Sequence, residues 1–283
     1  MTRIINAIKA VVTALAIAIT FPVVWLLSRY GSDVSRTRGG VLQTPVRHFE
    51  HSETGRKVTL VGAIHIGKQS YYEQMQGLID QAADDDYTIL YEGVGQVDKQ
   101  DVAKMPLPQQ VVVKQMQQMM SLMAWMSEHC FEENVVYQKQ GLSYPKSWIR
   151  TDLELSDVAQ LMSEAGITMV PEGKNGADLS IPKDILLEAV GIIRTIVGTA
   201  ITLLPGIHRV NGWLSVFSKK RRARNHIIIS LRDDVAAAGI LQHAAESDVV
   251  SIWGAAHLPG IESRLVAEGY QRKSTMWLDA FWS

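Results

Sequence analysis

The chain has one cysteine in 283 residues, Cys130, so it can form no intramolecular disulfide and no cysteine-based zinc cluster. The fold must be held by burial alone, and 47% apolar content can fill the core of one generous domain. An excess of either charge is missing as well. With 28 basic and 29 acidic residues the formal net charge is -1, so no global field attracts nucleic acid or anionic lipid, and no nucleic-acid partner is expected. There is no Gly-x-Ser-x-Gly elbow, no Gly-x-x-x-x-Gly-Lys-Ser loop and no His-Glu-x-x-His pair. A serine hydrolase, a P-loop nucleotidase and an ordinary zincin are therefore unsupported.

Long uncharged apolar runs are scarce, and the clearest is at the start. Ala10 to Leu27 is an uncharged stretch of eighteen residues. As a helix it rises about 27 Å, close to the roughly 30 Å of a bilayer's hydrocarbon. It is longer than the apolar region of a usual signal peptide, which favours an uncleaved membrane anchor over a cleaved signal for residues 1–30. Arg3 and Lys9 precede the run and Arg29, Arg36 and Arg38 follow it, so the charges barely discriminate orientation. The favoured reading is a single pass with the domain on the extracytoplasmic side. A second apolar stretch, Ile185 to Leu204, is interrupted by Glu188 and Arg194, and a charge near a bilayer centre costs about 2.5–3.5 kcal/mol. A buried or membrane-apposed helix is expected there, with the Lys219–Arg222 basic cluster on a solvated face.

Residues 31–56, polar and carrying Gly39-Gly40 and Pro45, read as a linker, and the folded domain is expected over 57–283. Val58 to Ile64 has the composition of a buried strand, a helical pattern follows through Tyr72, Met75, Ile79 and Ala82, and Tyr87 to Tyr91 reads as a second strand. Val112, Met116, Met119, Met123, Met126 and Cys130 form one stripe of a long helix, read as packing rather than a soft-metal surface. Leu155 to Ala165 is a helix leading to a short strand at Ile167 to Val170. Ile228 to Leu241 is helical, Asp248 to Trp253 a strand, Leu258 to Glu268 a helix and Tyr270 to Leu278 a last strand. The chain reads as α/β, a central sheet built from strand-helix-strand units with inserted helices, plus an N-terminal transmembrane helix.

Two strand ends carry the same short word, Gly62-Ala63-Ile64-His65 and Gly254-Ala255-Ala256-His257. Each histidine would project from the carboxyl edge of the sheet, where α/β folds place ligands. Glu92 ends the strand after the first unit, and a carboxylate there must be solvated, paired or bound to a cation. Two imidazoles and a carboxylate suit a divalent metal, zinc, manganese or cobalt among the options, with positions open for water. Pairing with Arg224, or capping of the next loop, is the competing reading of Glu92. Asp279, ending the unit after His257, would mirror Glu92 if the domain were two related halves.

These two Gly-x-x-His motifs, the strand-terminal Glu92 and the pair Arg224-Asn225 opening a late helix resemble the TraB/PrgY/GumN family over roughly Lys57 to Trp282. The resemblance extends to the Tiki proteases and, more distantly, to erythromycin-esterase-like and haem-binding ChaN-like proteins. It implies metal-dependent cleavage of a peptide or small acyl substrate near a membrane. His65, Glu92 and His257 would be the catalytic and metal-ligating residues, and Arg224 a charge-stabilising partner. Glu172, in Val170-Pro171-Glu172-Gly173, resembles a secondary acidic strand end. The alternative is a protein that binds or sequesters a signal peptide, a metal or haem without turnover. A purely structural membrane protein would make the paired motifs coincidental.

Overall fold

A computed structural model of the chain describes residues 33–93, 97–131, 134–168 and 219–282. Seven strands make one mixed sheet. Its spine is β3 (Lys57–Ala63), beside β8 (Val249–Gly254), then β5 (Thr88–Tyr91) and β7 (Ile149–Arg150), all mutually parallel. On the other side of β3 the sheet turns antiparallel through β2 (Val41–His51) to β9 (Tyr270–Trp282), with β1 (Arg36–Arg38) beside the start of β2. A small ribbon of β4 (Ile66–Lys68) and β6 (Val135–Tyr137) stands apart from it. The mixed α/β fold with a central sheet is the class the apolar patterning implied.

Both faces of the sheet are covered by helices, as its parallel half requires. Helix α1 (Gln69–Asp84) buries Tyr71, Tyr72, Met75 and Ile79 against Val61, Ala63, Val250, Ile252 and Leu278. The other face takes α5 (Leu231–Ala244) and α6 (Leu258–Ala267), which pack Ala236, Ile240, Leu258 and Ile261 on Val58, Leu60, Leu90 and Trp253. Helices α2 (Leu107–His129) and α3 (Leu155–Glu164) form a separate apolar cluster with Ile227. Helix α4 (Lys219–Asn225) runs through a π-helical turn, His226–Ser230, into α5.

The stretch expected as a linker is corrected by β2, an eleven-residue strand inside the sheet between β9 and β3. Gly39 and Gly40, both at positive φ, form the two-residue turn of a hairpin rather than a flexible hinge. Pro45 falls just outside the β3 register, which runs from Val46 to Glu50. Ile167 is not in a strand; it is buried, and its N–H bonds the Met162 carbonyl at the end of α3. The two-halves arrangement is absent: β9 pairs with β2 rather than β3, and Asp279 accepts a hydrogen bond from Gln43 at 2.5 Å, two strands from β3. Among the described residues no helix is long and apolar enough to cross a membrane. The expected anchor at 10–27, Glu172 and the 185–204 helix lie outside the described residues.

Candidate functional site

Because β3, β8 and β5 are parallel and in register, their carboxyl ends fall on one edge, with Ala63 beside Gly254 and Tyr91 beside Ile252. His65, Glu92 and His257 come just after those ends, so the topology gathers all three at the edge. They are not equivalent there. His257 is 4% exposed, and the side chain of Glu92 is 14% exposed. His65 is exposed at the rim, where its carbonyl accepts the Gln138 N–H at 2.8 Å and fixes the loop to the β4–β6 ribbon.

Each Glu92 oxygen has a donor. Oε1 accepts from Arg232 Nη2 at 2.5 Å, and Oε2 accepts the backbone N–H of Gly254. Burial alone would raise the Glu92 pKa. The Arg232 guanidinium, then His257 and His65, and the Gly254 N–H overcome that and hold it down at about 2. Arg232 is the residue that local sequence patterning misses. The guanidinium facing Glu92 is not that of Arg224, which lies on α4, but one two helical turns further along.

Asp152 is a second site residue that no sequence motif marks. Its fully buried carboxylate takes Arg232 Nε at 2.9 Å and Nη2 at 2.6 Å, and also accepts the Gly93 N–H at 3.2 Å. This fork fixes the guanidinium plane. The shared carboxylates in turn raise the Arg232 pKa further despite its burial. Its third nitrogen, Nη1, is committed to no carboxylate and lies 3.4 Å from His257 Nε2. Trp253 closes the floor, with its ring centroid 5.5 Å from the guanidinium carbon and 5.1 Å from the imidazole.

Asp233, next to Arg232 on α5, is 2.7 Å from His257 Nδ1 through its Oδ1. A proton on Nδ1 directed at a carboxylate leaves Nε2 unprotonated, an acceptor that faces Arg232 Nη1 at 3.4 Å and lies 3.8 Å from Glu92 Oε1. Burial raises the Asp233 pKa, opposed by the His257 hydrogen bond. The Tyr137 and Tyr144 phenols lie within reach of the Glu92 charge. Burial first, with the Glu92 charge added, raises both, and Tyr144 reaches about 12 despite its hydrogen bond from Gln138.

The donor set expected for a metal does not close around an ion in this arrangement. His65 makes no ion pair with Glu92, and among the described residues no three His, Cys, Asp or Glu side chains converge as a metal-holding group. The space between Glu92 Oε1 and His257 Nε2 is bordered by the Arg232 guanidinium. A dication about 4 Å from a guanidinium is repelled by on the order of 8 kcal/mol at an effective dielectric of about 20. Comparison with models of known protein families and with curated proteins finds no match for the chain. The chemistry open to the chain is therefore read from the groups at this edge of the sheet.

Proposed function

We propose that the chain is a hydrolase that cleaves a peptide bond or another small acyl linkage, working beside a membrane through its N-terminal apolar segment. The observation that carries this is the buried Asp233–His257 pair at 2.7 Å, with Nε2 turned toward Glu92 and toward Arg232 Nη1, the guanidinium nitrogen that no carboxylate holds and that otherwise donates only to the Ile228 carbonyl at 3.4 Å. An imidazole oriented by a carboxylate through one nitrogen is a general base at the other.

A water molecule between His257 Nε2 and Glu92 Oε1 has two acceptors for its protons. His257 takes one proton as the water oxygen bonds to the substrate's carbonyl carbon. The carbonyl π pair moves to oxygen, and Arg232 Nη1 donates a hydrogen bond to the developing oxyanion. When the intermediate collapses, the bond to the leaving amine or alcohol breaks and His257 returns the proton to it. Glu92 orients the water and keeps Arg232 in place. His65, at the rim, meets the substrate on entry. Each step uses only these side chains and one water molecule.

The test is turnover of a panel of fluorogenic peptides and acyl esters by the full-length protein in detergent, wild type against His257→Ala. Loss of about a thousandfold or more in kcat/KM by the folded variant supports the reading, since general base and water positioning are removed together. Full activity in that variant places the chemistry elsewhere. A wild type that binds a peptide tightly but cleaves nothing in the panel favours capture of a signal peptide without turnover.

A further inference from the structure

We propose that Arg232 is itself the resident cation of this site, standing where the two-histidine, one-glutamate reading would put a divalent metal, so that the site functions metal-free. The inference rests on the hydrolase reading for what the site does, but not for what occupies it.

Three relationships point to it. First, the two atoms a metal would require, Glu92 Oε1 and His257 Nε2, already face nitrogens of one guanidinium, at 2.5 Å and 3.4 Å. The second Glu92 oxygen is taken by the Gly254 N–H. Second, the guanidinium has no easy way out. Asp152 grips Nε and Nη2, Trp253 lies against it, and Arg232 is 7% exposed on the face of α5 that also buries Ala236, Ile240 and Ala244. A metal could enter only by displacing a buried, doubly anchored cation, which leaves Asp152 buried and unpaired. Third, the remaining ligand, His65, is exposed, and its loop is fastened to a different ribbon by the Gln138 N–H.

A guanidinium in that place is chemically adequate. It is permanently charged, it presents a planar set of donors, and it polarises a carbonyl oxygen by hydrogen bonding where a metal would do so by coordination. It also makes a specific demand on the surrounding carboxylates. Asp152 and Glu92 balance Arg232, so removing the arginine leaves the two carboxylates that shared it without their counter-charge, with Glu92 Oε1 still 3.8 Å from His257 Nε2, and this is the composition of a cation site.

The experiment is calorimetric titration of the full-length protein with manganese, cobalt and zinc, with elemental analysis after dialysis, comparing wild type, Glu92→Gln, Arg232→Gln and Arg232→Gln/Glu92→Gln. The expected result is no stoichiometric ion at this site in wild type. Arg232→Gln should bind an ion at least about tenfold more tightly than wild type, and the double variant should lose that gain. One equivalent bound by wild type and lost in Glu92→Gln overturns the proposal, as does a folded Arg232→Gln that gains no affinity. If Arg232→Gln does not fold, the wild-type and Glu92→Gln titrations decide alone. Turnover is read in neither arm, so a protein that hydrolyses nothing would sink the proposed function while leaving this result to stand or fall separately.

Discussion

Gly260 on α6 lies so close to Asp233 on α5 that a Cβ at position 260 would stand 1.8 Å from Asp233 Oδ2. The missing side chain is what lets α6 approach α5 at the level where Asp233 reaches His257 Nδ1. The second word at a strand end, Gly254 to His257, thus continues three residues further in function. Gly254 plays a similar part, because a Cβ there would be 3.0 Å from Glu92 Oε2, whose carboxylate takes the Gly254 N–H. Gly260→Ala is expected to push Asp233 off the imidazole and lower kcat by about a hundredfold, the usual cost of a small displacement of a positioned group. Overpacking should cost about 1–3 kcal/mol of stability. Steady-state kinetics with urea unfolding checks both, and a variant with wild-type kcat would show that the pair is not used.

Asp233→Asn keeps the shape of the contact but offers His257 an amide that can donate to Nδ1, which favours the tautomer with the proton on Nε2. The base is then lost while the ring stays in place. In the Ser-His-Asp template the same exchange lowers kcat by about four orders of magnitude, and roughly two to four are expected here. Imidazole nitrogen NMR reads the tautomer directly. A variant with Nδ1 still protonated and normal turnover would contradict the assignment of His257 as base.

Much of the site is legible in the sequence, and the omissions have physical reasons. His65, Glu92 and His257 can be picked out because runs of β-branched and apolar residues announce buried strands, and a residue just past a strand end in an α/β sheet faces the ligand edge. Nothing in the local composition of Arg232-Asp233-Asp234 marks it as buried. Only the spacing of Arg232 with Ala236, Ile240 and Ala244, and of Asp233 with Ala237, puts two charges on the buried side. The helix itself is evident, but its larger apolar residues Leu231, Val235 and Leu241 are not its buried face. Asp152 comes after a two-residue strand too short to leave a pattern. Strand β2 is hidden by Pro45 and by an Arg47 that is buried against Glu262.

Glu92 gives the protein an acid-sensitive element. Its folded pKa of about 2 is below the unfolded value near 4.3, so the unfolded chain binds more protons in between. The stabilisation is therefore complete above the unfolded value and is lost as pH falls from about 5 toward 2. Glu92→Gln should cost about 1–3 kcal/mol at neutral pH, because Arg232 keeps Asp152. The gap between wild type and variant should then shrink on acidification. Urea midpoints at pH 7, 5 and 3.5 test this, and a gap that stays constant would mean that Glu92 is not held ionised by Arg232.

Asp152→Ala removes two of the three carboxylate hydrogen bonds of a buried guanidinium, leaving it Glu92 alone, and is expected to cost about 3–5 kcal/mol, the typical result of breaking a buried ion pair by deleting one partner. The loss should couple to Arg232. In a double-mutant cycle with Arg232→Gln the second substitution should cost much less than it does alone, since the charge to be stranded is already gone. Additive effects would instead assign Asp152 to its other contacts, the N–H groups of Gly93 and Leu153.

His65 separates a working role from a structural one more cleanly than any buried member of the site. Its ring is exposed, stands 6.5 Å from the Tyr137 ring, and contributes to the field that keeps Glu92 charged, while its loop is held by a backbone carbonyl that a substitution leaves intact. His65→Ala should therefore unfold within about 0.5 kcal/mol of wild type, as surface changes do. If the imidazole meets the substrate at the rim, kcat/KM should fall by about tenfold or more, carried mainly by KM if it binds the ground state and transition state alike. His65→Gln, which keeps a hydrogen-bonding side chain, should recover part of the loss. Unchanged kinetics in His65→Ala would confine the chemistry to Glu92, Arg232, Asp233 and His257, and would make the first strand-end histidine a bystander to the second.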